Sequence, residues 1–147
     1  MAVKPIPDGY HTITPYLVVQ GAPKLIDFLQ QAFEAQETER ITQPDGTIGH
    51  AEVRIGDSVV MMAEARGEWK PMPSAMYLYV NDTDAVYQRA LQAGAISTME
   101  PANQFYGDRS AGVQDPSGNQ WWIATHQEDV PPNELKKRAE AAMQQQR

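Results

Sequence analysis

The sequence predicts an α+β fold made of two copies of one β-α-β-β-β module, and three observations carry the prediction. The chain resembles itself at an offset of 61 residues: Tyr16-Leu17-Val18-Val19 and Tyr77-Leu78-Tyr79-Val80 are both short β-branched or aromatic runs followed by a polar turn. Each run gives way to apolar residues at helical spacing. Further on, residues 49–63 face residues 110–124 at the same offset, and each stretch reads as two short strands around a turn.

Each element has its own justification. After the first strand, Pro23 suits a first helical turn, and Leu25, Ile26, Phe28, Leu29, Ala32 and Phe33 form one apolar stripe. A weak strand follows over about 38–42. Ile55-Gly56-Asp57-Ser58 places glycine at the first central position of a two-residue hairpin. In the second copy Asn81 or Asp82 can cap a helix whose stripe is Val86, Tyr87, Ala90 and Leu91, and Gly94 closes it. Another weak strand spans about 96–99, and Asp115-Pro116-Ser117-Gly118-Asn119 is dense in turn residues. Residues 66–74 join the copies and are apolar for a linker at Trp69 and Met72. Packing against an edge or subunit is favoured there over a ligand lid. After Pro131-Pro132, Asn133 can cap a last helix to about Gln145, with the sparse stripe Leu135, Ala139 and Met143. The expected organisation is a single domain over 1–130 and a helical appendage over 131–147.

Composition narrows the function classes. The 147 residues carry 12 Lys and Arg against 19 Asp and Glu, a formal charge of −7 with no basic stripe, so nucleic acid is not an expected partner. Zero cysteines exclude thiol catalysis and cysteine-held metals. No apolar run approaches the roughly 18 residues of a spanning helix, and no signal peptide is evident, so no membrane association and a cytoplasmic location are expected. There is no nucleophile elbow and no glycine-rich phosphate loop.

Thr14-Pro15-Tyr16-Leu17, Ile26-Asp27-Phe28, Gly49-His50-Ala51-Glu52 with Ile55-Gly56-Asp57-Ser58, Gln104-Phe105-Tyr106-Gly107-Asp108-Arg109 and, above all, Asp115-Pro116-Ser117-Gly118-Asn119-Gln120-Trp121-Trp122 appear in this order. Over about residues 10–128 the chain resembles the vicinal oxygen chelate superfamily of glyoxalase I, bleomycin-resistance proteins and extradiol dioxygenases, and within it the PhnB-like group. The resemblance implies a curved mixed β-sheet half-barrel, helices on its convex face and a pocket on its concave face. It also implies four metal-ligand positions, which fall here on Thr14, Met61, Ala75 and Trp122. None of these is a usual donor for zinc, nickel or magnesium. No metal or other cofactor is therefore expected.

Strand alternation sorts the remaining side chains. With Gly56-Asp57 as the turn, Ile55 opposes Ser58, Val53 opposes Val60 and Ala51 opposes Met62, an apolar face suited to a helix. Arg54, Glu52 and His50 then look into the concave side, with Val59, Met61 and Ala63 opposite. Ile13, Leu17 and Val19 are expected to pack and Tyr16 to face the pocket; Met76, Leu78 and Val80 pack, leaving Tyr77 and Tyr79. Trp122 joins them through the repeat. Arg109 is a candidate to capture an anion, with pairing to Asp108 the plainer reading. Asp115 and Gly118 are expected to build their turn, and His11 to make a surface hydrogen bond.

Two readings follow. The first is a metal-free small-molecule-binding protein that holds an apolar or aromatic ligand with Tyr16, Met61, Tyr77, Tyr79, Trp122 and Arg109; the acidity favours a neutral or cationic one. The alternative is a glyoxalase-like lyase or isomerase in which Glu52 or His50 moves a proton or holds an unconventional metal, helped by His126 or Glu64. Exposed sheet edges and the apolar linker point to a homodimer.

Overall fold

The computed structural model describes residues 2–145. The chain runs β1 (Tyr16–Val19), α1 (Ala22–Phe33), β2 (Gln36–Thr42), β3 (Ile48–Ile55), β4 (Ser58–Glu64), β5 (Ala75–Tyr79), α2 (Thr83–Gln92), β6 (Ile96–Asn103), β7 (Asp108–Gln114), β8 (Gln120–His126) and α3 (Pro132–Gln145). Two four-stranded mixed sheets result, ordered β1-β4-β3-β2 and β5-β8-β7-β6. Both repeat the same pattern: the first strand pairs parallel with the fourth, and the others pair antiparallel. This is the expected α+β fold of two β-α-β-β-β modules. No described helix is long and apolar enough to cross a membrane.

The helices form where the sequence supplies starts and stops. Pro23 lies in the first turn of α1, and Glu34 ends that helix in the left-handed conformation at φ 57° rather than leaving the task to glycine. Asp82 caps α2 by accepting from the Ala85 N–H at 3.2 Å. The apolar faces of both sheets and both helices join in one core, in which Leu25, Ile26, Val53, Ala111 and Ile123 are wholly buried. Trp121 of β8 meets Phe33 of α1 with ring centroids 5.0 Å apart, so the modules are held to one another through their buried faces. The opposite faces therefore turn outward.

The hairpin register is the expected one, with Ile55 opposite Ser58, Val53 opposite Val60 and Glu52 opposite Met61. Four expectations need correction. The weak strands are longer than foreseen, at residues 36–42 and 96–103. Ile13 precedes β1 and is 84% exposed, because β1 begins at Tyr16 and the packed alternation begins with it. The 61-residue offset also does not persist through β7. Gly112 opposes Trp122 as Glu52 opposes Met61, an offset of 60, because the turn at Pro116-Ser117-Gly118 is one residue longer than Gly56-Asp57. Finally, α3 starts at Pro132, one residue before the expected cap. It buries no residue, and Arg138 ties it to Glu128 at 2.5 Å and to the Phe105 carbonyl at 3.3 Å.

Candidate functional site

The shared pairing order makes equivalent rows on the two outward faces. In the first sheet Tyr16, Met61, Glu52 and Glu39 stand side by side on β1, β4, β3 and β2. In the second the same row reads Tyr77, Trp122, Gly112 and Met99.

On the first sheet Glu52 is buried at 5% exposure, beneath the segment that precedes β1. The Tyr10 hydroxyl donates to its Oε1, and His50 Nε2 lies 2.7 Å from its Oε2. Burial alone would push the Glu52 carboxyl up, but the hydrogen bonds from Tyr10 and His50 outweigh it and hold the group below its ordinary value. The Tyr10 hydroxyl moves up in turn, mainly through the same bond. Tyr16 approaches the other ring nitrogen of His50, with its hydroxyl 3.4 Å from Nδ1. Glu39 Oε, a His50 ring nitrogen and Glu52 Oε all fall within 4.8 Å of one another.

On the second sheet the buried carboxylate is Asp108. It accepts from the Tyr77 hydroxyl at 2.8 Å and the Tyr79 hydroxyl at 3.2 Å, and His126 Nδ1 lies 2.8 Å away. Desolvation opposes ionisation of Asp108, yet these partners hold its carboxyl below the ordinary value. His126 is raised, first by Asp108 and next by Asp129, which sits 2.7 Å from its Nε2. Burial pushes the Tyr77 hydroxyl up, reinforced by hydrogen bonds to Tyr106 and Asp108. The Tyr77 and Tyr79 rings are 5.2 Å apart yet stay 41% and 62% exposed. Two residues beyond Asp108 on β7, Ser110 Oγ is buried and has no hydrogen-bond partner among the described residues.

Two recesses adjoin these faces. One of about 630 Å³ is bounded by Tyr16, Val18, Ala63 and Glu64, with Trp69 and Met72 of the connecting segment. Met72 donates its N–H to the Val18 carbonyl at 2.9 Å, which closes part of the free edge of β1. A second, of about 620 Å³, is a cleft between modules lined by Tyr77 and Tyr79 from one and by the Gly56-Asp57 turn and Phe33 from the other.

Tyr16, Met61, Glu52 and His50 thus share one face, and Tyr77, Tyr79 and Trp122 the other. Among the described residues, no hydrogen bond or aromatic pair joins the two groups. Arg109 belongs to neither. It lies one residue beyond Asp108, so its side chain turns to the helix face, where Nε and Nη2 bind Asp84 of α2 at 2.9 and 3.1 Å. His11 Nε2 meets the Asp57 carbonyl oxygen at 2.9 Å, Glu64 accepts from the Ala22 N–H at the start of α1, and His126 is occupied in the second module. Tyr10, Glu39, Asp108 and Tyr106 were not anticipated. The residues at the four implied positions do not fit a divalent metal: Thr14, Met61, Ala75 and Trp122 offer a hydroxyl, a thioether, a methyl and an indole, and the strand neighbours of Met61 and Trp122 are Tyr16 and Tyr77.

A family model described as the Glyoxalase/Bleomycin resistance protein/Dioxygenase superfamily matches residues 9–123. An uncharacterized protein of Mycobacterium bovis is 36% identical over 84% of this chain and 88% of that protein. TioX from Micromonospora sp. ML1 superposes with a TM-score of 0.68 at 22% identity, over 79% of this chain and 98% of TioX. TnmS3, an antibiotic binding protein from Streptomyces sp. CB03234, gives 0.63 at 19% identity over 86% and 98% of the two chains. The PhnB protein of Bacillus cereus gives 0.62 at 14% over 78% and 99%. The chain belongs to the glyoxalase/bleomycin resistance/dioxygenase superfamily.

Proposed function

We propose that the protein binds a small apolar or aromatic molecule, neutral or cationic, against its outward sheet faces, without a metal at the superfamily's usual positions. The observation that carries this is the exposure of tyrosine beside buried carboxylate on both faces: Tyr16 with the His50–Glu52 pair, and Tyr77 and Tyr79 over Asp108. Water-facing aromatic rings stack with a flat ligand, and the carboxylates favour positive charge over negative. The formal charge of −7 acts in the same sense at longer range. TnmS3 is described as antibiotic-binding, which supports the class of ligand.

A second copy of the chain completes the groove in this reading, since one chain leaves both aromatic faces open, and we place the protein in the cytoplasm. The lyase or isomerase reading finds its support in the 2.7 Å His50–Glu52 contact. The lowered Glu52 makes a weaker base, which favours binding over proton abstraction.

Titration with the planar cation acridine orange, followed by anisotropy, tests the proposal. Saturable binding is expected, weakened about two- to tenfold by Tyr77→Ala or Trp122→Ala, as loss of one aromatic contact implies. A sulfonated ring system of the same size should bind less tightly. Binding indifferent to both substitutions, or preference for the sulfonate, would refute the reading.

A further inference from the structure

We infer that Glu39, His50 and Glu52 form a divalent-metal site on β2 and β3 of the first sheet, beside the β1–β4 position where the superfamily's pattern would put one. The site shares His50 and Glu52 with the first of the two ligand-facing surfaces but requires no ligand there. Glu39 and Glu52 are directly opposed on β2 and β3, and like charges in that relation destabilise a sheet. Glu52 is 95% removed from solvent, where an ionised carboxylate needs compensation. Tyr10 and His50 satisfy Glu52, but no hydrogen bond or ion pair among the described residues engages Glu39. A cation between the two strands offsets the repulsion and gives Glu39 a partner.

The backbone is arranged to create this opposition. The register of β2 shifts between Glu37 and Glu39, so that Glu37 lies opposite the core residue Val53 while Glu39, only two positions on, lies opposite Glu52. Thr38 is the extra residue of the bulge, and its hydroxyl donates to the Glu52 carbonyl at 3.3 Å. Bulges of this kind re-aim a side chain. Without it Thr38 would face Glu52, and two donors would remain instead of three.

The donor set selects the ion. One imidazole and two carboxylates, all within 4.8 Å, suit zinc, nickel or cobalt, which bind nitrogen and oxygen at roughly 2.0–2.2 Å, and do not suit calcium, which takes all-oxygen shells. His50 already presents Nε2 to Glu52, and with the ring nitrogen Nδ1 turned to the Tyr16 hydroxyl it has the outer hydrogen bond that orients a metal-ligating histidine. A metal would take the Glu52 oxygen that His50 now occupies.

Calorimetric titration of the chelator-dialysed full chain with zinc chloride, and separately with nickel chloride, decides the matter. One saturable ion per chain is expected. Glu39→Gln, His50→Gln and Glu52→Gln should each weaken it at least about tenfold, in keeping with loss of a direct ligand. The exposed Glu39 keeps the test independent of folding, which the far-ultraviolet circular dichroism of each variant checks. His11→Gln and His126→Gln, which replace the other two histidines, should leave binding unchanged. Absence of saturable uptake by the unmodified chain, uptake that survives Glu39→Gln, or uptake lost with His126→Gln would each overturn the inference.

Discussion

Replacing Asp115 by alanine should destabilise the protein by about 3–5 kcal/mol, although Asp115 touches no ligand-facing residue. Its carboxylate is 4% exposed and accepts from the Ser117 N–H at 2.8 Å, the Asn119 N–H at 3.0 Å, the Asn119 side-chain amide at 3.0 Å and Trp121 Nε1 at 2.8 Å. Ser117 is partly exposed and can turn to water. Asn119 and Trp121, at 0% and 2% exposure, cannot. Three donors of these two residues lose their partner, each at roughly 1–3 kcal/mol, and relief from no longer burying a charge brings the sum of about 3–9 down to the lower half of that range. For a domain of this size the melting midpoint should fall by roughly 6–20 °C. Urea denaturation of Asp115→Ala, Trp121→Phe and the double variant measures the effect. Because the single changes share one hydrogen bond, the cycle should show a coupling of about 1–3 kcal/mol. A loss below about 1 kcal/mol for Asp115→Ala, or strict additivity, would refute the claim that this carboxylate organises the turn.

The His126 contact should make stability depend on pH. Asp108 and Asp129, with Glu128 nearby, raise the imidazole above its unfolded value of about 6.5, so the contribution is fully present below that pH and disappears as pH rises through the raised value. The stability gap between the unmodified protein and His126→Gln should therefore shrink from pH 5.5 to 8.5, and remain modest because the ring is 49% exposed; a gap that widens with pH would contradict this. Light scattering at micromolar concentration should give twice the 16.4 kDa chain mass, and a monomer would remove the second copy from the proposed groove.

The parts of the fold that were legible are those fixed by local rules. Glycine at position 56, at φ 59°, and an alternation that puts Ala51, Val53 and Ile55 on one face admit one register, and a slip would expose all three. The unread parts depend on partners distant in sequence. Asp108 sits in a stretch of turn and polar residues, and its meaning comes from Tyr77, Tyr79 and His126, which the fold brings to it from two other strands. Glu39 lies on a strand exposed along its whole length, so no apolar pattern betrays which face it occupies, and a bulge resets its parity. Tyr10 belongs to a segment without periodicity. Arg109 follows a simpler rule: once Asp108 faces outward, alternation sends its neighbour to α2.

The duplication explains why these sites fall where they do. Two sheets with the same strand order offer the same row of four positions, yet the row reads Tyr16, Met61, Glu52, Glu39 in one and Tyr77, Trp122, Gly112, Met99 in the other. Gly112 is not a vacant counterpart of Glu52. A Cβ there would stand 2.5 Å from Thr98 Oγ1 and 2.9 Å from Gln120 Nε2, a pair already bonded at 2.9 Å, so the second sheet closes the space that a carboxylate fills in the first. Its own carboxylate stands instead at Asp108, opposite His126 and already partnered by that imidazole and two tyrosine hydroxyls. The copies have thus diverged in opposite senses: one gathers acids and an imidazole that lack a cation, the other gathers rings over a satisfied acid. The proposed metal belongs to the first of these faces alone, whereas the proposed flat ligand stacks on exposed tyrosine, which both faces offer.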